Sequence, residues 1–250
     1  MGKKVLIVFS HPEPKSFSGG MRDTIVKALA EQGHEIKQSD LYKQKFNPVV
    51  SKESFKEVGN KDYLNVIMEY KNAAAKDLFV DELKAEHEKL KWADYVILVS
   101  PYWWGSVNAM MKGWIDQVFV AGVAWDFGKI YDKALLRGKT CWIVTCTSMP
   151  EPGYTKEGAM GMTIEDRFHH LTWGTFKFCG ADVLHPFCAY GVATAPEEVR
   201  KGFLTELDKR VKELETAKRL YAFEPLAKED KPEGAKLEGS AKKGGCCDLF

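Results

Sequence analysis

Short apolar runs alternate along the chain with longer segments in which apolar residues recur every three or four positions. Runs rich in β-branched or aromatic residues predict buried strands over Val5–Ser10, Tyr95–Ser100, Thr140–Thr147 and Asp182–Tyr190. The more polar segment His34–Ser39 predicts a fifth strand at a sheet edge. The helical spacing predicts helices over Met21–Gln32, Leu78–Trp92, Val107–Phe119 and Glu197–Arg219.

This alternation of strands and helices indicates a parallel sheet covered by helices on both faces. Five strands rather than six favour an α/β, three-layer, flavodoxin-like fold with strand order 2-1-3-4-5. In such sheets ligands bind at the carboxyl ends of the strands, beside the point where the strand order reverses. We therefore expect the loops after Phe9, Val99 and Thr145 to converge on one site.

Composition supports one domain and excludes several classes of function. The chain has 250 residues, of which 45% are hydrophobic, and we expect residues 1–222 to form the domain. Residues 223–250 are polar and rich in Gly and Lys, which predicts a flexible tail. Lys and Arg number 36 against 35 Asp and Glu, so the overall charge does not favour nucleic acid binding. The apolar runs are too short to span a bilayer and no secretory signal is evident, which predicts a cytoplasmic protein.

The first candidate loop is "SHPEPKSFSGGM", Ser10–Met21, which follows the first strand. It contains neither G-x-G-x-x-G nor G-x-x-x-x-G-K-[ST]. Ser16 and Ser18 can nevertheless cap a helix, and Gly19-Gly20 lets the backbone approach an anion. His11 adds a donor that can carry charge. The loop therefore suggests a phosphate site, with an ordinary capped turn as the alternative.

The second candidate loop places three consecutive aromatic residues, Tyr102, Trp103 and Trp104, at the end of a strand. Neighbouring side chains on an extended chain point to opposite faces, so the three cannot all enter the core. At least one is therefore exposed or covers a planar ligand. An oligomer interface is the alternative interpretation, and the two are compatible.

Several motifs together resemble a known family. They are "VLIVFSHPEPKSFSGGM", "SDLY" (Ser39–Tyr42), "FNP" (Phe46–Pro48), "ADYVILVSPYWWGSV…KGWIDQVF" and "FCG" (Phe178–Gly180). The combination is similar to the NAD(P)H:quinone oxidoreductases of the DT-diaphorase type and to their bacterial relatives among the flavodoxin-like quinone reductases. The similarity extends from about residue 3 to about residue 220.

The resemblance implies a homodimeric flavoprotein with its active sites at the dimer interface. It implies FAD, with FMN less expected, and ping-pong transfer of a hydride from NAD(P)H through the flavin to a quinone. The implied diphosphate contacts are His11, Ser16, Phe17 and Ser18, with Arg200 near the adenosine. The implied ring contacts are Pro101, Tyr102, Trp103, Trp104 and Gly105, and those at the pyrimidine edge are Cys146, Thr147, Ser148 and Met149. Tyr154 matches the family's active-site tyrosine, and Trp125, Phe127 and Phe178 match the apolar walls around nicotinamide or quinone.

The chain departs from the family pattern at four places. The third loop is "CTSM" instead of Thr-Thr-Gly-Gly, and Ala193 stands where a Glu often binds the cofactor. Met160 occupies the position of a relay histidine, which affects proton delivery. Gly105 replaces an aromatic residue and opens the pocket. The open pocket favours an azo, nitro or flavin reductase as an alternative. The lost glycines of the third loop and Met160 favour a weakly catalytic, flavin-bound regulatory protein.

The remaining Cys and His residues give no metal site. Cys146 has no second cysteine at a suitable spacing, so a packing residue is favoured over a redox thiol. His169 and His170 are adjacent and diverge on a helix, which indicates structural or solvated side chains. Trp173 and Lys177 occupy positions where some relatives carry metal-binding histidines.

The sequence "CDLF", Cys247–Phe250, fits a C-a-a-X prenylation motif with a geranylgeranyl preference. Cys246 would provide a second lipid, which stable anchoring requires. The motif predicts association with the cytosolic face of a membrane. An accidental pair of cysteines is the alternative.

Overall fold

The computed structural model describes residues 2–224. Its strands are β1 (Lys4–Phe9), β2 (Glu35–Asp40), β3 (Tyr95–Pro101), β4 (Thr140–Cys146), β5 (Asp182–Leu184), β6 (Phe187–Ala189) and β7 (Arg219–Tyr221). Its helices are α1 (Phe17–Glu31), α2 (Val66–Lys76), α3 (Asp81–Trp92), α4 (Ala109–Val118), α5 (Ile164–Arg167), α6 (His169–Leu171) and α7 (Glu197–Lys212). A π-helix, Thr172–Lys177, follows α6 directly.

The sheet has the predicted flavodoxin-like order. Its strands run β2-β1-β3-β4-β5-β7, and β6 also pairs with β4. The pairs among β1 to β6 are parallel, whereas β7 is antiparallel to β5. The order reverses between β1 and β3, so the carboxyl ends of these two strands lie side by side.

The strand count differs from the prediction, because the sheet has seven strands rather than five. The predicted strand Asp182–Tyr190 is two strands, β5 and β6, which both pair with β4. The break falls at His185-Pro186, where proline has no N–H to give to the ladder. The indole N–H of Trp142 donates instead to the His185 carbonyl at 2.9 Å.

The predicted helix Glu197–Arg219 is too long, because α7 ends at Lys212. The chain then turns, and the guanidinium of Arg219 donates to the carbonyl oxygens of Leu214 and Ala217. Arg219 thereby begins the edge strand β7. The sequence pattern does not reveal this end of the helix, because Leu214 is buried and keeps the helical spacing of Leu207 and Val211.

The starts of the other helices are set by their caps. Helix α1 begins four residues before the predicted Met21, since the Ser16 hydroxyl accepts from the Gly19 N–H. Helix α3 begins at Asp81 rather than Leu78, because Val80 is extended. Helix α2 was not predicted: it buries Tyr70 and Ala73 but leaves much of its surface polar.

Both faces of the sheet are covered, which explains the continuous apolar runs. Side chains of β1 alternate between the two faces, and Val5, Ile7 and Phe9 pack with α1 and α7. Leu6 and Val8 belong to the opposite core layer, which α2, α3 and α4 cover. The three-layer prediction is confirmed.

A buried carboxylate links the polar strand β2 to two helices. Glu86 accepts from the hydroxyl of Ser39 at 2.7 Å, from the indole of Trp114 at 2.8 Å and from Lys89 at 2.7 Å. Its side chain is buried, so these donors compensate for the loss of water. The arrangement fixes α4, and with it the loop that precedes α4.

Most of the predicted tail, including Cys246 and Cys247, lies outside the described residues. At its start, the Phe223 N–H donates to the carboxylate of Asp182 at 2.9 Å. Within residues 2–224, no helix is both long and apolar enough to cross a membrane.

The "KGW" and "FNP" motifs meet through a close approach at Gly113. A Cβ added there would lie 2.3 Å from the carbonyl oxygen of Pro48. We expect Gly113→Ala to lower the free energy of unfolding by about 1–3 kcal/mol, because backbone must move. Gly202→Ala is the control: Gly202 lies inside α7 with no atom within 4 Å of the added Cβ. It should raise the stability by about 1 kcal/mol through helix propensity. Urea unfolding of both variants measures the difference, and equal effects would contradict the packing argument.

Candidate active site

The ends of β1 and β3 are joined by the side chain of Asn108, the N-cap of α4. Its carbonyl oxygen accepts from the Ser10 hydroxyl at 2.6 Å and from the Met111 N–H at 3.0 Å. Its amide nitrogen donates to the Ser10 carbonyl at 2.8 Å. Its backbone N–H donates to the hydroxyl of Ser100 at 3.3 Å. One buried amide therefore holds the first two loops together.

The third loop is attached to the same place. The Thr145 hydroxyl donates to the Ser100 carbonyl at 2.7 Å, and the Tyr102 N–H donates to the Cys146 carbonyl at 2.9 Å. The hydroxyl of Ser18, on α1, lies 3.4 Å from the sulfur of Cys146. The loops after β1, β3 and β4 therefore meet, as the strand order predicts.

The first loop presents the start of α1 to the site. The N–H groups of Phe17 and Ser18 have no acceptor inside the helix, which is the usual basis of anion binding at such positions. The loop bends so tightly that a Cβ on Gly19 would lie 1.9 Å from the Pro14 carbonyl oxygen. His11 closes the loop by accepting from the Glu13 N–H at 3.0 Å, and its ring edge faces Trp103 at a centroid distance of 5.8 Å.

A cleft of about 530 Å³ extends from the first loop toward α7. Its lining residues are Lys15, Ser16, Phe17, Gly20, Val192, Ala193 and Arg200. The structure thus brings Arg200 to the same cleft as Ser16 and Phe17. Two cations and no carboxylate line it, so the cleft suits an anionic ligand.

The second loop is a tight turn with an exposed tip. The backbones of Trp103 and Ser106 are paired by two hydrogen bonds of 2.9 and 3.1 Å. The two residues between them have positive φ angles, +49° at Trp104 and +90° at Gly105. This is the pattern of a type I′ turn, and it accounts for glycine at position 105. Trp104 is fully exposed and holds a left-handed backbone that the turn requires and that tryptophan uncommonly adopts.

Tyr102 points inward beneath this turn and is only 8% exposed. Its ring packs edge-on against Tyr154 at 5.7 Å and Phe168 at 5.6 Å. Its hydroxyl is buried and has no hydrogen-bond partner within residues 2–224. Burial raises the pKa of this hydroxyl, while the nearby Arg167 lowers it. The hydroxyl oxygen is the one atom found within 4 Å of a Cβ built on Gly105, at 3.9 Å.

Tyr154, the predicted active-site tyrosine, is 5% exposed in this structure. Its hydroxyl is engaged with the hydroxyl of Thr147 at 2.7 Å. Burial raises its pKa, which the Thr147 hydrogen bond partly offsets, so the phenol stays protonated at neutral pH. Tyr154 is therefore placed against the third loop.

Two backbone N–H groups of the third loop already donate to acceptors within the protein. The Thr147 N–H donates to the Ala189 carbonyl at 3.0 Å, and the Met149 N–H donates to the Thr147 hydroxyl at 3.3 Å. Ser148 is exposed and keeps its polar groups available. Of the four predicted pyrimidine-edge residues, Ser148 is therefore the one best placed to donate. Cys146 is buried, and burial raises the pKa of its thiol, as expected for a packing residue.

Met160 brings no titratable group to the site. Its N–H donates to the Gly153 carbonyl at 2.9 Å, and its carbonyl accepts from the Arg167 guanidinium. The side chain of Met160 packs against the core.

The predicted apolar walls form a cluster of their own. Trp125 contacts Phe127 at a centroid distance of 5.9 Å and Phe178 at 5.6 Å. Phe127 is exposed. Among residues 2–224, no pair of packed aromatic rings connects this cluster to Tyr102 or Trp103.

Asn108 and Ser106 are not among the predicted site residues, and the sequence predicts a structural or solvated side chain at His170. The hydroxyl of Ser106 lies 2.8 Å from the Nε2 atom of His170. Ser106 belongs to the quoted "PYWWGSV" motif, but nothing in the sequence pairs it with a histidine 64 residues away. Asn108 had a detectable signal, since asparagine before an apolar helical pattern is a typical N-cap. No group of three or more metal-ligating side chains occurs in the part of the chain that the structure describes.

We expect Asn108→Ala to lower the free energy of unfolding by about 3 kcal/mol, since it removes a cap and leaves buried Ser10 groups unpaired. Asn65→Ala is the matched control. Asn65 caps α2 through one exposed bond to Met68, so its loss should cost about 1 kcal/mol. Chemical denaturation of both variants tests the ranking, and an equal cost would show that Asn108 serves only as a cap.

Comparison with known proteins agrees with the geometry. The family described as having a flavodoxin-like fold matches residues 3–212. The human ribosyldihydronicotinamide dehydrogenase (quinone) is 36% identical over 213 residues, which is 84% of this chain and 91% of that protein. The NAD(P)H dehydrogenase (quinone) 1 of Cavia porcellus is 31% identical over 229 residues, 88% of this chain and 80% of that protein.

Solved structures give the same result. A candidate quinone reductase from Klebsiella pneumoniae superposes with a TM-score of 0.83 and 27% identity, over 88% of this chain and 87% of that one. An azoreductase from Bacillus anthracis has a TM-score of 0.60 at 17% identity, over 84% of this chain and 99% of that one, and shows a shared fold. The chain therefore belongs to the flavodoxin-like quinone reductases of the NAD(P)H:quinone oxidoreductase type, and it is an oxidoreductase.

Proposed function

We propose that the protein is an FAD-dependent NAD(P)H:quinone reductase that works by ping-pong hydride transfer. The observation that carries this proposal is the meeting of three loops. An anion-binding helix start, a turn of exposed tryptophans and an exposed Ser148 lie at one edge of the sheet. A flavin, when bound, supplies a carrier for two electrons and a proton between NAD(P)H and the acceptor. The relatives named for quinone reduction support this substrate class.

The phosphate end of a flavin fits the first loop. The free N–H groups of Phe17 and Ser18 and the positive end of the α1 dipole favour a diphosphate. Gly19 permits the close bend that exposes them. His11, beside Trp103, adds a donor between the phosphate end and the ring end.

The ring end fits the second and third loops. Trp103 is partly exposed, and its backbone lies in a rigid turn that can support a flat ring system. The unpartnered hydroxyl of Tyr102 is a donor near this turn. Positioning of this kind, with water excluded, is what hydride transfer requires of the protein.

FAD is favoured over FMN by the cleft beyond the first loop. Its volume and its two cations, Lys15 and Arg200, suit an adenosine half with a second phosphate. FMN would leave this cleft unused.

A homodimer would complete the substrate pocket. The Trp125 cluster lies apart from the Trp103 turn within one chain, yet the exposed Phe127 and the fully exposed Trp104 leave apolar surface uncovered. Two copies of the chain can bury both surfaces and bring the Trp125 cluster of one protomer to the Trp103 turn of its partner.

A second candidate function is the reduction of azo or nitro compounds. The space over Gly105 supports it, because a Cβ there would approach no atom more closely than 3.9 Å. This opening leaves room for acceptors bulkier than a simple quinone.

The proposed function predicts a yellow protein that oxidises NAD(P)H with quinones. Absorbance of the purified or reconstituted protein, chromatography of the released chromophore and steady-state turnover test it. Double-reciprocal plots of the initial rate against NAD(P)H, at several fixed quinone concentrations, should give parallel lines if the kinetics are ping-pong. Bound flavin without turnover of quinone, azo or nitro acceptors would favour a regulatory protein instead. A protein that binds no flavin would refute the proposal.

We expect Arg200→Gln to weaken FAD binding about tenfold, as for the loss of one charge-assisted contact, while FMN binding stays unchanged. Arg210→Gln is the control, because Arg210 lies on the same helix but pairs with Glu206. Flavin titrations followed by fluorescence quenching measure both affinities. An equal loss of affinity for FAD and FMN would show that Arg200 does not contact the adenosine half.

A further inference from the structure

Ser106 and His170 form a hydroxyl–imidazole pair at the base of the tryptophan turn. The Ser106 oxygen lies 2.8 Å from the histidine Nε2, and both side chains reach solvent. Ser106 is also the backbone partner of Trp103, through two hydrogen bonds. A group that can exchange protons with water is thus connected to the turn that the proposed function places beneath the flavin.

The position of His170 is set by packed elements on both sides. Its ring lies nearly parallel to that of Phe168, at a centroid distance of 6.4 Å, and Phe168 in turn packs on Tyr102. The π-helix Thr172–Lys177 starts two residues later, and such helices occur frequently at functional sites. His170 is therefore held at the turn by neighbours that also shape the site.

Partial burial and neighbouring charges favour the neutral form of His170. Burial lowers its pKa below the usual 6.5, and Lys112 of α4 and the adjacent His169 act in the same direction. A hydrogen bond to the backbone of Arg167 opposes them. Within residues 2–224, no carboxylate pairs with this ring. An imidazolium here is therefore a readier acid than an ordinary histidine.

Reduction of a quinone requires such an acid. Transfer of a hydride adds two electrons and one proton and leaves a hydroquinone monoanion. A second proton completes the hydroquinone, so the overall reaction consumes one quinone, one NAD(P)H and one proton. Met160 has no proton to give, and burial raises the pKa of both Tyr154 and Tyr102.

We propose that Ser106 and His170 deliver this second proton to the oxygen of the electron acceptor. The Ser106 hydroxyl gives its proton to the hydroquinone oxygen while it takes one from Nε2 of the imidazolium. The neutral imidazole then regains a proton from water. His170 acts through Ser106. The pair serves electron acceptors, such as quinones, whose reduction takes up a proton. The inference rests on the proposed function.

The test compares two electron acceptors on the flavin-loaded enzyme. A quinone needs the proton, whereas ferricyanide accepts single electrons and needs none. We expect Ser106→Ala and His170→Gln to slow the oxidative half-reaction with quinone by about tenfold to a hundredfold, within the usual range for acid catalysis. Both variants should keep the ferricyanide rate. Ser106→Thr keeps a hydroxyl at this position and should therefore keep the quinone rate of the unaltered enzyme.

His169→Gln is the matched control, because His169 faces Tyr221 and Trp173 instead of the turn. It should leave both rates unchanged. His11→Gln is a further comparison, since His11 is the other histidine beside Trp103. A quinone-specific loss in His11→Gln together with none in His170→Gln would overturn the proposal.

The pH dependence gives a second readout. The protonated imidazole is the donor, so the quinone rate of the unaltered enzyme should fall as pH rises through the His170 pKa, below about 6.5. His170→Gln should lack this fall and show a smaller solvent deuterium effect. An unchanged profile, or an equal loss with ferricyanide, would show that His170 only supports the turn.

Failure of the proposed function is recognised separately. If the unaltered protein does not oxidise NAD(P)H with any quinone, the function itself is wrong. If it does, and His170→Gln matches it at every pH, the proton pair alone is wrong. Flavin absorbance and thermal unfolding of each variant establish that the compared proteins are folded.

Discussion

The candidate site depends on one buried amide. The planar amide of Asn108 carries an acceptor oxygen and a donor nitrogen side by side, and Ser10 satisfies both. Serine, aspartate or threonine could cap α4, but ionised aspartate has no donor, and a hydroxyl places its donor and acceptor on a single atom. The same residue thus starts a helix and holds β1 and β3 in register at their carboxyl ends. The third loop joins the same place through the Thr145 hydroxyl and the Tyr102 N–H.

Hydrophobic patterning predicted the layers because they follow from burial, and the strand order came from the number of strands in an alternating α/β pattern. It did not predict the break at Pro186 or the end of α7. At Pro186 the apolar run continues across a local backbone defect. At the end of α7 the spacing of Leu214 continues across a turn that is stabilised by the Arg219 guanidinium, five residues away. A turn that is stabilised by a side chain beyond the helix leaves no periodic signal.

The loops also combine features that the sequence predicts with features that it does not. Local chemistry predicted the cap at the start of α1, since Ser16 and Gly19 lie within one helical turn of each other. The Thr147–Tyr154 contact and the Ser106–His170 pair depend on how separate segments fold back on one another. The residue types were visible in the sequence, but their partners were set by tertiary structure. The left-handed backbone at Trp104 also followed from the turn, because tryptophan alone does not suggest it.

The two ends of the sheet limit how copies of this protein can associate. At one end, β7 is a strand of only three residues that runs against the direction of its neighbours. At the other, β2 carries Glu35 and Lys37, and the Lys37 ammonium lies over the ring of Trp92. Short or charged edges resist the addition of further strands. The sheet edges are thereby unfavourable for backbone pairing between copies, so the proposed homodimer would depend on the shape of side chains around the loops.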